Sequence, residues 1–275
     1  MKAKHLPLIV KNRVKGFLFS NKGKLPDFII VGAQKCGTTT IIKSLEEHPK
    51  IHITNYTYPK KAFGEVHFFN KKHMLLNGIK WYKSLFDKNL ISGEKTPCYM
   101  TKKSTMQKIY KYAPNVKIII CLRDPVKRII SHLNMVNTFN NQNRKIDDVI
   151  NNPEFVNRGK YYTLIKNNIL PYFPKSNIHI SIVDEEKPSA TNVKDSNIKG
   201  LMADDSSGHI NNTMKPIYDF LSIENLDIEY SYYYVGKYKK KKELNPETLK
   251  KIKKLYEEDN EKLFHFIGRR IESWE

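Results

Sequence analysis

Three groups of residues have the types and spacing to do chemistry. The first is Gly32-Ala-Gln-Lys35-Cys36-Gly37-Thr38-Thr39, between the apolar run Phe28 to Val31 and a helix-forming segment that starts at Thr38. A strand, a glycine loop and a helix in that order aim backbone N–H groups and the positive end of a helix dipole at one point, which suits a phosphate or sulfate oxyanion. A magnesium–nucleotide loop reads G-x-x-x-x-G-K-[ST]. Here Thr38 stands where that lysine would be, and the cation sits inside the loop at Lys35. A transferred anionic group would then be met by a lysine without a metal. Cys36 is expected to contribute its backbone N–H.

The second group is Gly64-Glu65-Val66-His67-Phe68-Phe69-Asn70. A period of two puts Glu65, His67 and Phe69 on one face of a strand and Val66 and Phe68 on the other. A carboxylate beside an imidazole can accept a proton from a hydroxyl or amine; an exposed strand edge with a solvated carboxylate is the plainer alternative. Lys95, in Gly93-Glu-Lys-Thr-Pro-Cys-Tyr-Met100, follows a polar strand in a turn-like segment and could neutralise a departing oxygen or pair with Glu94. The third group is Arg123-Asp-Pro-Val-Lys-Arg-Ile-Ile-Ser131. Arg123 offers a planar fork for phosphate. Pro125 suits the first turn of a helix, with Asp124 as its N-cap rather than a magnesium ligand, and Arg123 and Ser131 then converge on a second anion.

The elements that must position these groups are legible as an α/β pattern. Val116 to Leu122 reads as a central parallel strand, and ligands of open α/β sheets bind outside the carboxyl ends of strands, the rim shared by the loop after Val31 and by Arg123. Helices are expected from Thr38 to Glu47, over residues 101–112, after Arg158, from Met214 to Leu221, and from an Asn245 cap with Pro246 at the first turn. Asn177 to Val183 reads as a further strand, residues 134–153 as a polar surface excursion, and residues 184–212 as a mobile insertion. Residues 1–26 read as a basic arm and residues 27–275 as one domain.

The balance of 48 Lys and Arg against 28 Asp and Glu gives a net charge of +20, which favours anionic partners: nucleic acid, membrane surface, polyanionic glycan or a highly charged nucleotide. Tyrosines and lysines interleaved from Tyr230 to Lys242 could stack a base, or form a solvated edge. Cys36, Cys98 and Cys121 have no metal or disulfide spacing. No apolar run reaches the ~18 residues of a transmembrane helix, and no secretory signal is convincing. The cytoplasm is the expected compartment on that ground.

The loop G-x-Q-K-C-G-T-T-T resembles the 5′-phosphosulfate loop of sulfotransferases that use 3′-phosphoadenosine 5′-phosphosulfate. The segments G-E-V-H-F-F-N, G-E-K-T-P-C-Y, L-R-D-P-V-K-R-I-I-S-H, R-G-K-Y-Y, V-G-K-Y and N-P-E-T-L follow in the order found in the heparan sulfate sulfotransferase branch, which includes the N-deacetylase/N-sulfotransferase and 3-O-sulfotransferase relatives and their bacterial cousins. The resemblance implies the sulfotransferase fold, a P-loop-like central parallel sheet flanked by helices, and a transfer without metal. It also implies roles: Lys35, Cys36, Gly37, Thr38 and Thr39 for the 5′-phosphosulfate, Arg123 and Ser131 for the 3′-phosphate, Glu65 as base with His67 supporting it, and Lys95 on the leaving side. Lys237 would cap the nucleotide, and either Tyr161 or Tyr162 is the family tyrosine. The product would be 3′-phosphoadenosine 5′-phosphate, the acceptor a hydroxyl or amine of a carbohydrate, and the Golgi lumen the compartment if the animal relatives are the guide. Asn70 stands where some relatives have aspartate, and Thr39 where some have arginine. Two other readings are a non-catalytic polyanion-binding protein and a P-loop nucleotide kinase.

Overall fold

A computed structural model describes residues 6–19, 23–56, 65–183, 207–226 and 244–274. In chain order its main elements are α1 (Leu6–Phe19), β1 (Phe28–Gly32), α2 (Thr38–Glu46), β2 (Ile51–Ile53), α3 (Lys72–Leu75), α4 (Ile79–Lys83), β3 (Ile91–Lys95), α5 (Lys103–Tyr112) and β4 (Lys117–Leu122). They continue with α6 (Pro125–Asn140), α7 (Ile146–Ile150), α8 (Pro153–Asn157), α9 (Tyr161–Leu164), β5 (Ile178–Ile182), α10 (Ser207–Leu221) and α11 (Pro246–Ile267).

The five strands form one parallel sheet in the order β2-β3-β1-β4-β5. A parallel sheet covered by helices on both faces needs strands without a polar side, and β1 is buried along its whole length. From β1 the chain fills one side of the sheet with β2 and β3, then crosses to the other with β4 and β5. Loops leaving β1 and β4 therefore diverge, and a crevice opens between their carboxyl ends. Register levels the rim: Ile30 pairs with Lys95 on β3 and with Ile119 on β4. Burying each of these aliphatic side chains contributes about 1.5–3 kcal/mol.

Four expectations need correction. Residues 65–70 are not a strand: His67 is left-handed (φ 57°), and Val66, Phe68 and Phe69 are all buried, which breaks the alternation. The segment pairs with no strand. Its N–H groups go instead to side chains, His67 to Thr96 Oγ1 (3.3 Å) and Phe69 to the Tyr99 hydroxyl (3.4 Å). Lys95 is the last residue of β3 rather than part of a turn. Residues 134–153 are largely helical, completing α6, forming α7 and opening α8. Their polarity marked exposure, while Val149, Phe155 and Val156 close a second apolar cluster with Val126, Ile129, Ile252 and Tyr256. Helix α10 starts at Ser207, inside the stretch expected to be an insertion; residues 184–206 lie outside the described part. Within the expected basic arm, α1 is a helix that packs along α4.

Candidate active site

The glycine loop after β1 is shaped by its backbone. Gly37 caps α2 at φ 68° and Lys35 sits at φ 74°, both in the left-handed region. That region is open to glycine, whereas a lysine there carries about 1–2 kcal/mol of strain. Lys35 is thereby held half-buried in the loop. The loop is tied to its neighbour on the β4 side: Ala33 N–H donates to Cys121 O at 2.7 Å. Cys36 N–H donates to Ala33 O within the turn, and its sulfur lies buried 3.3 Å from the Tyr161 hydroxyl.

Tyr161 and Tyr162 take different places in the structure. The Tyr161 ring is fully buried and its hydroxyl donates to Arg123 O at 2.8 Å while touching Cys36, so one side chain braces the β1 loop against the end of β4. Tyr162 packs instead edge-on to Phe266, and its N–H is held by Asp259 of α11. Arg158 adds a second brace by donating to Gln34 Oε1 at 2.7 Å. Neither brace follows from local sequence pattern; the short R-G-K-Y-Y segment was the only signal.

Beyond β4, Asp124 accepts from Val126 N–H at 2.8 Å and caps α6, as expected. Half-buried Ser131 stands about two turns along α6, on the same azimuth as Asp124. Arg128 does not join Ser131 at the surface: it is fully buried, donating to Phe155 O (2.7 Å) and toward His132 Nδ1 (3.4 Å). His132 must accept there, and its pKa is pushed down to about 3 by burial and then by Arg128, Arg158 and Lys35.

The third wall comes from β3 and the 65–70 loop. Alternation on β3 sends Glu94 and Lys95 to opposite faces. Lys95 is 1% exposed; its ammonium donates to Thr39 Oγ1 at 3.0 Å and lies 3.9 Å from Glu65 Oε1. Its carboxylate neighbour is thus Glu65 rather than Glu94. Burial pulls the Lys95 pKa down to about 8, Glu65 opposes this, and the cations Lys35 and Lys43 add to the fall. An anion placed among these ammonium groups would relieve their repulsion.

Glu65 Oε2 lies 2.9 Å from His67 Nε2. On the other ring nitrogen, His67 faces Asn70 Oδ1 (3.1 Å) and the Cys98 sulfur (3.7 Å). Burial disfavours an imidazolium, but Cys98 and Glu65 outweigh it and raise the pKa to about 10. The same contacts that favour a protonated His67 hold the Glu65 carboxylate in a fixed orientation beside it.

Glu94, which sequence reasoning gave no role of its own, anchors this wall from below. Fully buried, it accepts from the hydroxyls of Tyr82 (2.5 Å), Thr96 (2.7 Å) and Tyr99 (3.2 Å). Burial raises its pKa against those three hydrogen bonds. Thr96 and Tyr99 are the same groups that hold the N–H of His67 and of Phe69. Among the described residues no cluster of three or more His, Cys, Asp or Glu could hold a metal, and Lys237 lies outside them.

The family described as sulfotransferase domain matches residues 25–182. Mouse heparan sulfate glucosamine 3-O-sulfotransferase 5 is 28% identical over 172 residues, 57% of this chain and 47% of that protein. Human heparan sulfate glucosamine 3-O-sulfotransferase 6 is 34% identical over 112 residues, 39% of this chain and 30% of that protein. Membrane-associated sulfotransferase kil1 of Dictyostelium discoideum is 35% identical over 113 residues, 39% and 22% respectively. The chain thus spans less than half the length of each of these relatives. The crystal structure of a sulfotransferase from Alicyclobacillus acidocaldarius superimposes with a TM-score of 0.69 at 21% identity, over 91% of this chain and 99% of that one.

Proposed function

We propose, on the premise that the chain belongs to the sulfotransferase domain family, that it transfers a sulfuryl group from 3′-phosphoadenosine 5′-phosphosulfate to a hydroxyl or amine of a glycan. The observation that carries this reading is the adjacency of the Lys35 loop and Arg123, braced together by Tyr161, with Lys95 between Thr39 of the loop and Glu65. In the proposed reaction the acceptor oxygen or nitrogen attacks sulfur in line with the 5′-phosphate. The new bond to sulfur forms as the sulfur–oxygen bond to that phosphate breaks, the acceptor proton passes to Glu65, and 3′-phosphoadenosine 5′-phosphate leaves with the electron pair. Lys35, Thr38 and Thr39 hold the 5′ end, Arg123 and Ser131 the 3′-phosphate, and Lys95 neutralises the departing oxygen. Catalysis of this kind is positioning and charge stabilisation.

Relatives named for heparan sulfate glucosamine, together with a net charge of +20, support an anionic glycan as acceptor. The test is incubation with donor and a panel of glycans, including desulfated and N-acetylated heparan chains, with mass detection of sulfated product. Product with the parent protein and about 10²–10⁴-fold slower product formation with Glu65→Gln is the expected result; equal rates from both remove Glu65 as the base, and no product from either across the panel removes the glycan.

A further inference from the structure

Helix α1 turns one face to the body of the protein and a different, apolar face outward. Ile9 and Asn12 are buried, Asn12 donates to Asn77 Oδ1 (3.3 Å), and Arg13 donates to Leu76 O (2.8 Å). Gly16 sets the closest approach, since a Cβ there would stand 2.5 Å from Trp81 N of α4. These contacts fix the rotation of the helix. The fixed rotation turns outward a row spaced by four residues, Leu6, Val10, Val14 and Leu18, exposed by 53, 55, 54 and 67%. Such a row is continuous along a helix. Globular surfaces scatter exposed aliphatics singly and do not line them up.

The surroundings of the row say what covers it. Lys11 and Lys15 border it on one side and Arg13 on the other, all three exposed, and the Lys80 ammonium lies 5.4 Å from the ring of outward-facing Phe17. No acidic residue occurs before Asp27. A second copy of this face would bring the same cations together, which disfavours self-association. An apolar stripe between basic flanks matches the boundary between headgroups and acyl chains of an anionic bilayer, where the stems of the lysines reach outward to phosphate. We propose that α1 is an interfacial helix that docks this protein on anionic phospholipid surfaces. It lies in the plane of the surface: no helix among the described residues is long and apolar enough to cross a membrane.

The experiment reads partitioning rather than turnover, so it stands apart from the assignment of the active site. The full chain is sedimented with phosphatidylcholine vesicles and with vesicles of phosphatidylcholine and phosphatidylglycerol. Binding to the mixed vesicles alone is expected. The substitutions Val10→Ser, Val14→Ser and Leu18→Ser combined should lower the partition coefficient by about tenfold or more while leaving melting in the absence of lipid unchanged. Lys11→Ala and Lys15→Ala should each cost about fivefold. A Val10→Trp variant should show blue-shifted emission with mixed vesicles only. Failure to sediment, or full binding by the triple serine variant, overturns the proposal. So does lipid-free self-association that the same three serines abolish, which would assign the face to a second copy.

Discussion

Lys95→Met should make the protein more stable and at the same time inactive. The ammonium is buried and its pKa falls from an ordinary 10.5 to about 8, which corresponds to about 3 kcal/mol of unfavourable charge burial at pH 7. Methionine removes that cost and fills a similar volume, but forfeits the hydrogen bond to Thr39, worth about 1 kcal/mol. The net expectation is about 2 kcal/mol of stabilisation, or a melting temperature higher by about 4–8 °C at this size. The sign of the pH dependence follows from linkage. Between pH 8 and 10.5 the unfolded chain holds a proton at Lys95 that the folded chain has released, so the parent gains stability as pH rises through that window. The advantage of the methionine variant should therefore vanish near pH 10. His67 contributes stability of the opposite sign, present below about 6.5 and lost as pH rises toward about 10, but it is common to both proteins and cancels in the comparison. Turnover should fall by about 10²–10³, the usual cost of removing a group that stabilises developing charge. Thermal and urea unfolding at pH 7 and pH 10 check the account. Destabilisation at pH 7, or a gain that does not change with pH, would refute the reasoning that Lys95 is held at an energetic cost for function.

The same network yields further expectations. For the parent, kcat/KM should decline as pH rises above about 8 because free Lys95 loses its charge, and the limb in kcat should lie higher because bound anion holds the proton; a flat profile through that range argues against a catalytic Lys95. Glu65→Gln should bind 3′-phosphoadenosine 5′-phosphate normally in calorimetry while turnover drops by about 10²–10⁴. Glu94→Gln presents an amide N–H₂ to at least one of three hydroxyl donors and should cost about 1–3 kcal/mol in urea unfolding; it should also lower kcat more than nucleotide affinity, because the loop bearing Glu65 loosens. Tyr161→Phe removes the hydroxyl between Cys36 and Arg123 and should weaken nucleotide binding by about fivefold to tenfold, with Tyr162→Phe as the silent control.

What could be read directly in the chain was whatever a single stretch determines. β1 and β4 are buried on both faces and so appear as unbroken apolar runs, and the caps Asp124-Pro125 and Asn245-Pro246 satisfy their own helix ends. The glycine loop after β1 was legible because two glycines and a lysine lie within eight residues. What escaped depends on partners far apart in sequence. The 65–70 loop imitates a strand, but its path is set by Thr96 and Tyr99, about thirty residues on. β2 is only three residues long and exists because β3 offers it an edge. β3 itself is polar, since Gly93 accommodates the Phe28 ring and Glu94 is satisfied by three hydroxyls. The brace from Tyr161 joins residues separated by more than a hundred positions. Tyr230 to Lys242, with Lys237, lies outside the described residues.

The central claim is that the Lys35 loop and the Arg123–Ser131 pair grip the two ends of one nucleotide. Titration calorimetry with 3′-phosphoadenosine 5′-phosphate and with AMP, in the absence of divalent cations, tests it most directly. The charge-assisted contacts to the 3′-phosphate should make the former bind about tenfold to a hundredfold more tightly, with the difference lost in Arg123→Met. Equal affinity for the two nucleotides, or binding only of ATP with magnesium, would contradict it.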